Sequence, residues 1–343
     1  MRKVLIGFMV VLVVSLTLYI RLRRPSSRRE VAYAGNREVT LWSTTAQVRE
    51  PVATAKYGDR LDVLGRFEDQ VQVQTASGSV GWINEADLLS ADLWQRANDL
   101  EALARKSPVE ARGRTRAISN LHVEAGRESP RIRQLSKGLP VDLFERKVVD
   151  VPVAPGGAAA EEKNPPTGST LDGKAPSAKK EDWWLVRAHL PDQTFATGWI
   201  LGRFVDLDVP APLPDYASAA AMHIVAWFEL NRVMDPSAGS KPQYLVVGSR
   251  GPEGQTCDFT MLRVFTWGAR KQRYETAYVE SDVCGKLPVT LNGPSAPSGD
   301  VTFSFEDFSH EAVEERKYRM ERTVVRRVRE GESVSRKRTH ARG

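Results

Sequence analysis

Short apolar alternations broken by turn residues dominate the first part of the chain. Glu38-Val39-Thr40-Leu41-Trp42 is followed by a polar loop to Pro51-Val52-Ala53, then by Tyr57 to Leu64, Val71-Gln72-Val73 and Gly81-Trp82-Ile83. A period of two puts Leu61 and Val63 on one face and Arg60 and Asp62 on the other, and separates Val71 and Val73 from Gln72 and Gln74 in the same way. This predicts a small, strongly bent antiparallel barrel over 36–90. From Ser90 to Lys106 the period changes: Leu93, Trp94, Ala97, Leu100, Leu103 and Ala104 recur at three- and four-residue steps. That spacing predicts an amphipathic linker helix over 91–108, capped by Ser90 and stopped by Pro108.

The first pattern then recurs. Leu121 and the turn-rich Glu124-Ala125-Gly126-Arg127 correspond to Leu41 and its loop, and Gly138 to Phe144 corresponds to Gly58 to Leu64. Asp182-Trp183-Trp184-Leu185-Val186 answers Asp69-Gln70-Val71-Gln72-Val73, and Gly198-Trp199-Ile200 answers Gly81-Trp82-Ile83. A second barrel over 113–209 follows from the match. It carries an insertion at about 148–181 rich in Pro, Gly, Ala and Lys, a composition that buries no core and reads as a mobile loop.

From 215 to 330 the texture changes again. Met222–Arg232, Tyr244–Ser249, Phe259–Trp267, Arg273–Glu280, Val301–Phe305 and Lys317–Val328 are successive strand candidates, which suggests an antiparallel β meander. The last of them also carries a helical face through Val313, Met320, Val324 and Val328, and the strand reading is preferred. The fold class is therefore mainly β.

The Gly58-Asp59 turn before a strand and the closing Gly-Trp-Ile step, in this order, resemble bacterial SH3-type domains, here as two tandem copies. The resemblance implies SH3-like β-barrels that work outside the cytoplasmic membrane and bind cell-wall glycopeptide or another envelope protein.

At the N-terminus Arg2-Lys3 precedes an uncharged apolar run from Val4 to Ile20, and Arg21, Arg23, Arg24, Arg28 and Arg29 follow it. A helix of this length spans about 25 Å, near the lower limit for a bilayer. Small residues suited to signal cleavage do not directly follow the run, so 1–30 reads as an uncleaved signal anchor rather than a core helix or a cleaved leader. Positive charge is denser after the span than before it, which favours a cytoplasmic body; the resemblance favours an extracytoplasmic one, which is ranked first. The chain carries 49 Lys and Arg against 43 Asp and Glu, a net charge of +6. The excess gathers at the two ends, including a basic disordered tail over 331–343, and suits lipid head groups or anionic polymers. Aromatics are not interleaved with these basic runs, so no nucleic-acid partner is expected.

Motifs of catalysis are missing. His122, His189, His223, His310 and His340 are scattered, and no His-Glu-x-x-His helix, phosphate loop, nucleophile elbow or zinc-type cysteine pairing occurs. Cys257 and Cys284 are the only cysteines. An unbulged hairpin turning at 268–273 pairs Trp267 with Tyr274 and Phe265 with Thr276, and so brings Cys257 opposite Cys284, where a disulfide can form. Two buried thiols, or a reactive one, remain the alternatives; neither cysteine opens a helical pattern as a thiolate nucleophile would require. Flat aromatic faces on the barrel strands offer the other chemistry, at Trp42, Trp82, Trp183, Trp184 and Trp199. Trp183 and Trp184 are adjacent on one strand, so one of them is expected to point outward. The expectation is a non-catalytic, single-pass, membrane-anchored envelope protein without cofactor or metal that binds a cell-wall polymer or an envelope protein. A cytoplasmic membrane-tethered adaptor for peptides and anionic lipid is the alternative.

Overall fold

The computed structural model describes residues 30–151, 179–293 and 300–328. The chain divides into two compact units, 1–95 and 96–343, with the division inside helix α1 (Ala91–Ala104).

The first unit is one seven-stranded sheet. It runs through β1 (Val31–Ala34), β2 (Glu38–Trp42), β3 (Pro51–Lys56), β4 (Arg60–Phe67), β5 (Gln70–Thr75), β6 (Val80–Asn84) and β7 (Leu88–Ser90), with the order β3-β2-β6-β5-β4-β1-β7. Val39, Leu41, Leu61, Val71, Val73 and Ile83 fill its interior. Bulges between Leu41 and Trp42 and between Val63 and Gly65 bend it. Tyr33 stacks on Trp94 at the start of α1, 5.0 Å between ring centroids.

The second unit opens with a sheet of the same order, β10-β9-β13-β12-β11-β8-β14. Its strands are β8 (Ala111–Thr115), β9 (Ser119–His122), β10 (Arg131–Leu135), β11 (Pro140–Asp150), β12 (Lys180–His189), β13 (Phe195–Leu201) and β14 (Val205–Leu207). The registers also coincide. Gln70 pairs with Phe67 and Asn84 in one sheet, and Trp183 pairs with Lys147 and Leu201 at the same place in the other. The bulge between Leu143 and Glu145 repeats that between Val63 and Gly65. The recurring Gly-Trp-Ile step has a steric cause. A Cβ on Gly81 would lie 2.8 Å from Leu41 Cβ, and one on Gly198 would lie 2.8 Å from Ile132 Cδ1 and 3.0 Å from the His122 carbonyl oxygen. Neither site has room for a side chain.

Neither sheet closes into the barrel expected from the pattern. β3 and β7 end one, β10 and β14 the other, with no ladder joining the ends. Closure requires the end strands to pair, and β3 opens on Pro51, which has no N–H to give to a ladder. The insertion is also shorter than expected at 148–181, because β11 and β12 stay paired as far out as Asp150 and Lys180.

The remaining strands form a meander in sequence order. They are β15 (His223–Asp235), β16 (Gly239–Ser249), β17 (Phe259–Gly268), β18 (Arg273–Asn292), β19 (Val301–Asp307), β20 (Glu314–Glu321) and β21 (Val324–Val328), preceded by a short helix, α2 (Leu213–Ala219). The ambiguous last segment is thus a hairpin, β20 with β21. Its side chains explain the choice, since Tyr318 and Met320 are fully buried against the β19 face that carries Phe303 and Phe305.

No helix among the described residues is long and apolar enough to cross a membrane. The apolar run Val4–Ile20, on which the expected anchor rested, and the basic tail 331–343 lie outside the described residues. The single-pass membrane localisation is accordingly not retained.

Candidate functional site

The inner faces of the first two sheets are alike and their outer faces are not. In the second sheet Phe144, Trp183, Leu185, Trp199 and Leu201 form an apolar outer layer, packed under Ala104 and Leu100 of α1 and beside Val109 and Phe204. The equivalent residues of the first sheet are Leu64, Gln70, Gln72, Trp82 and Asn84, as the registers fix. Phe144 is 5% exposed and Leu64 42%. One outer face is core, and the other meets solvent.

On that open face Trp42 and Trp82 are paired across β2 and β6, both half-buried. The Arg49 guanidinium from the β2–β3 loop lies 4.5 Å from the Trp42 ring centroid, a cation–π contact. Glu38, Thr40, Gln70 and Asn84 complete a cleft of about 370 Å3 around the indole. The Asn84 side-chain oxygen accepts from Ala86 N at 2.8 Å. The Gln70 amide oxygen is shielded from solvent and has no hydrogen-bond partner. A buried acceptor left unpaired costs about 1–3 kcal/mol, so an N–H or O–H that reaches Gln70 recovers it. The cleft gathers an indole, a guanidinium, carboxylates, amides and a hydroxyl at one opening.

The sequence-predicted aromatic residues divide between these two settings. Trp42 and Trp82 are on the open face. Trp199, Trp183 and Trp184 are all buried, at 3%, 2% and 7% exposure. The expectation that Trp183 or Trp184 points outward is corrected, because β12 is covered on both sides: Trp183 lies in the outer apolar layer, and Trp184 occupies the inward position equivalent to Val71. Trp183 does line a second cleft of about 340 Å3 with Arg127 and Glu181. There the Arg127 Nε donates to Glu181 at 2.8 Å, and that bond holds the Glu181 carboxyl below the usual range. Arg49, Gln70 and Asn84 escaped the sequence reading, although the match of Gln70 to Trp183 already marked an outer position where the two copies differ.

Cys257 and Cys284 are joined by a disulfide, their Cα atoms 4.9 Å apart. The hairpin that was to align them is not unbulged. Phe265 pairs with Thr276, but the register slips beside Val264 and again between Phe259 and Met261, and Cys257 lies before β17 begins. The bond leaves the chain no free thiol, so no cysteine nucleophile is present in this state. His189 Nε2 contacts Asp142 at 2.8 Å and His122 Nδ1 contacts the Ser129 carbonyl at 2.7 Å. Among the described residues no group of three His, Cys, Asp or Glu side chains is placed to hold a metal.

No family model and no curated protein matches the sequence. Similar solved structures include NlpC1 of Trichomonas vaginalis, at 10% identity and a TM-score of 0.17 over 63% of this chain and 59% of that one. An NlpC/P60 family protein of Bacillus cereus gives 13% and 0.21 over 59% and 64%, and NlpC2 of Trichomonas vaginalis gives 10% and 0.17 over 88% and 97%. The chain spans less than two thirds of the length of the first two. These scores carry no argument about chemistry.

No family model, SH3-type included, matches the sequence, and neither sheet closes into the barrel that the resemblance implied, so membership of the SH3-type family is not retained. The non-catalytic envelope role built on it, its adaptor alternative and the exclusion of an enzyme go with it.

Proposed function

We propose that the partner of this chain is a cell-wall polymer and that the Trp42 cleft of the first unit holds it. One observation carries the reading: the outer face that the second sheet closes with apolar side chains is left open in the first, where the half-buried Trp42, paired with Trp82 on the neighbouring strand, lies beside amide and carboxylate groups. Indole faces stack on the apolar faces of sugar rings, while Glu38, Gln70 and Asn84 are spaced around Trp42 for hydroxyl and acetamido groups. The net charge of +6 favours approach to an acidic polymer.

Co-sedimentation of the protein with purified wall sacculi tests this. Trp42→Ala and Trp82→Ala should each weaken binding about tenfold, equivalent to about 1.4 kcal/mol. Wild-type sedimentation by both variants would remove the reading. Soluble fragments released in the same incubation measure whether the bound polymer is also cut.

A further inference from the structure

A second site stands on different residues, in the second unit, where the second sheet meets the meander. Arg146 of β11 is the buried post of this seam, its side chain 5% exposed. Its guanidinium binds Asp182, Asp258 at 3.0 Å and the carbonyl oxygens of Gln255 and Cys257 at 3.1 and 3.2 Å. Asp258 in turn accepts from Leu287 N at 3.0 Å. The guanidinium and this carboxylate are thus committed to each other and to the backbone.

Beside them opens a cleft of about 320 Å3 lined, among the described residues, by Arg146, Lys147, Lys180 and Lys286 and by the carboxylates of Asp150 and Asp258. The lysines are incompletely satisfied. Lys180 Nζ is 3.9 Å from Asp150, beyond hydrogen-bond reach, with both side chains well exposed. Lys286 Nζ is 3.4 Å from Asp258 and also donates to the Thr256 carbonyl. Lys147 Nζ lies 3.3 Å from Glu145 and 4.5 Å above the Trp199 ring. Each ammonium has three donors, so donors remain free on a rigid floor.

We infer that this cleft binds the phosphate group of a polyol phosphate. The guanidinium fork that would match a planar carboxylate is already used, and what remains is a set of ammonium point charges, which suit the tetrahedral, multiply charged oxygens of a phosphate. The cleft also exceeds the volume of a lone phosphate, which leaves room for the attached polyol. The inference does not depend on the Trp42 cleft, which belongs to the other unit.

Titration of the full chain with inorganic phosphate and with glycerol phosphate, at fixed ionic strength and read by calorimetry, decides it. Glycerol phosphate should bind more tightly than inorganic phosphate. Lys180→Gln and Lys147→Gln should each lose about tenfold, since each removes one charge from the cleft. Lys179→Gln, adjacent in sequence but outside the lining, should bind as wild type. No heat with either ligand, or equal losses at Lys179 and Lys180, overturns the site. Tighter binding of inorganic phosphate overturns the polyol assignment.

Discussion

The first and second sheets share strand order, register and even the position of a bulge, yet they differ in what their outer faces touch. The interiors are conserved in kind: Val71, Val73 and Ile83 become Trp184, Val186 and Ile200. On the outer face Gln70, Gln72 and Asn84 become Trp183, Leu185 and Leu201, and the second sheet gains a cover. The pleat and the bend are set by the inner alternation and by the tight glycine step. The outer alternation is free to become either core or surface, and that choice separates a structural unit from one with a site.

The largest effects should come from breaking the covered face. Trp199→Ala empties a fully packed position and should cost about 3–5 kcal/mol in denaturant unfolding. Trp82→Ala at the equivalent half-buried position should cost about 1 kcal/mol, since less apolar area leaves contact. Equal losses would mean the two faces are not distinct. The arginines give the same contrast in charge. Arg66 and Arg146 occupy equivalent positions, opposite Val71 and Trp184. Arg66 is 44% exposed and binds Glu30 and Glu85 in solvent, whereas Arg146 is buried among Asp182, Asp258 and two carbonyls. Removing Arg146 strands two carboxylates and should cost about 3–5 kcal/mol. Arg66→Ala should cost below about 1 kcal/mol.

A third difference is titratable. Among the described residues the first unit buries no charged side chain, but the second buries Glu110. Burial pushes the Glu110 carboxyl up to about 7 from its ordinary 4.5, assisted by nearby Asp258 and opposed by the Val289 N–H that bonds it. Between those values the folded state keeps a proton that the unfolded chain has lost. The stabilisation is therefore complete below about pH 4.5, declines as pH rises and is gone above about 7, a change on the order of 3 kcal/mol. Unfolding midpoints measured across this range should show the slope in wild type and lose it in Glu110→Gln. An unchanged slope in that variant would assign the proton elsewhere.

The inner half of this architecture was legible because a two-residue period in Leu61, Val63, Val71 and Val73 has one physical meaning wherever a face is buried. The duplication was legible through the repeated Gly-Trp-Ile step, whose glycines have no room for a side chain. Closure was not, since it depends on whether two distant edge strands meet. Trp183 and Trp184 misled because alternation says that adjacent residues face opposite ways and says nothing about a second layer. The cover comes from Leu100 and Ala104, far off in sequence, and only the change from glutamine to apolar residues along β12 hinted at it. The Trp42 cleft depends on Arg49 and Gln70, polar residues whose chemistry comes from assembly and not from any motif.

The smallest expected effect sharpens the comparison most. Gln72→Leu gives the first sheet the residue that the second has at the same position, Leu185. If apolar character alone made the covered face, the variant would gain stability. The residues under Ala104 and Leu100 in the second sheet are buried, whereas Phe67 and Leu64 on the first sheet's outer face are exposed. The added side chain should therefore stay in water, leave unfolding free energy within about 0.5 kcal/mol of wild type, and enlarge an apolar patch that promotes self-association. A gain above about 1 kcal/mol, the size expected when much of a leucine side chain is buried, would reveal an apolar partner on that face and would weaken the case that it is kept open for a polymer.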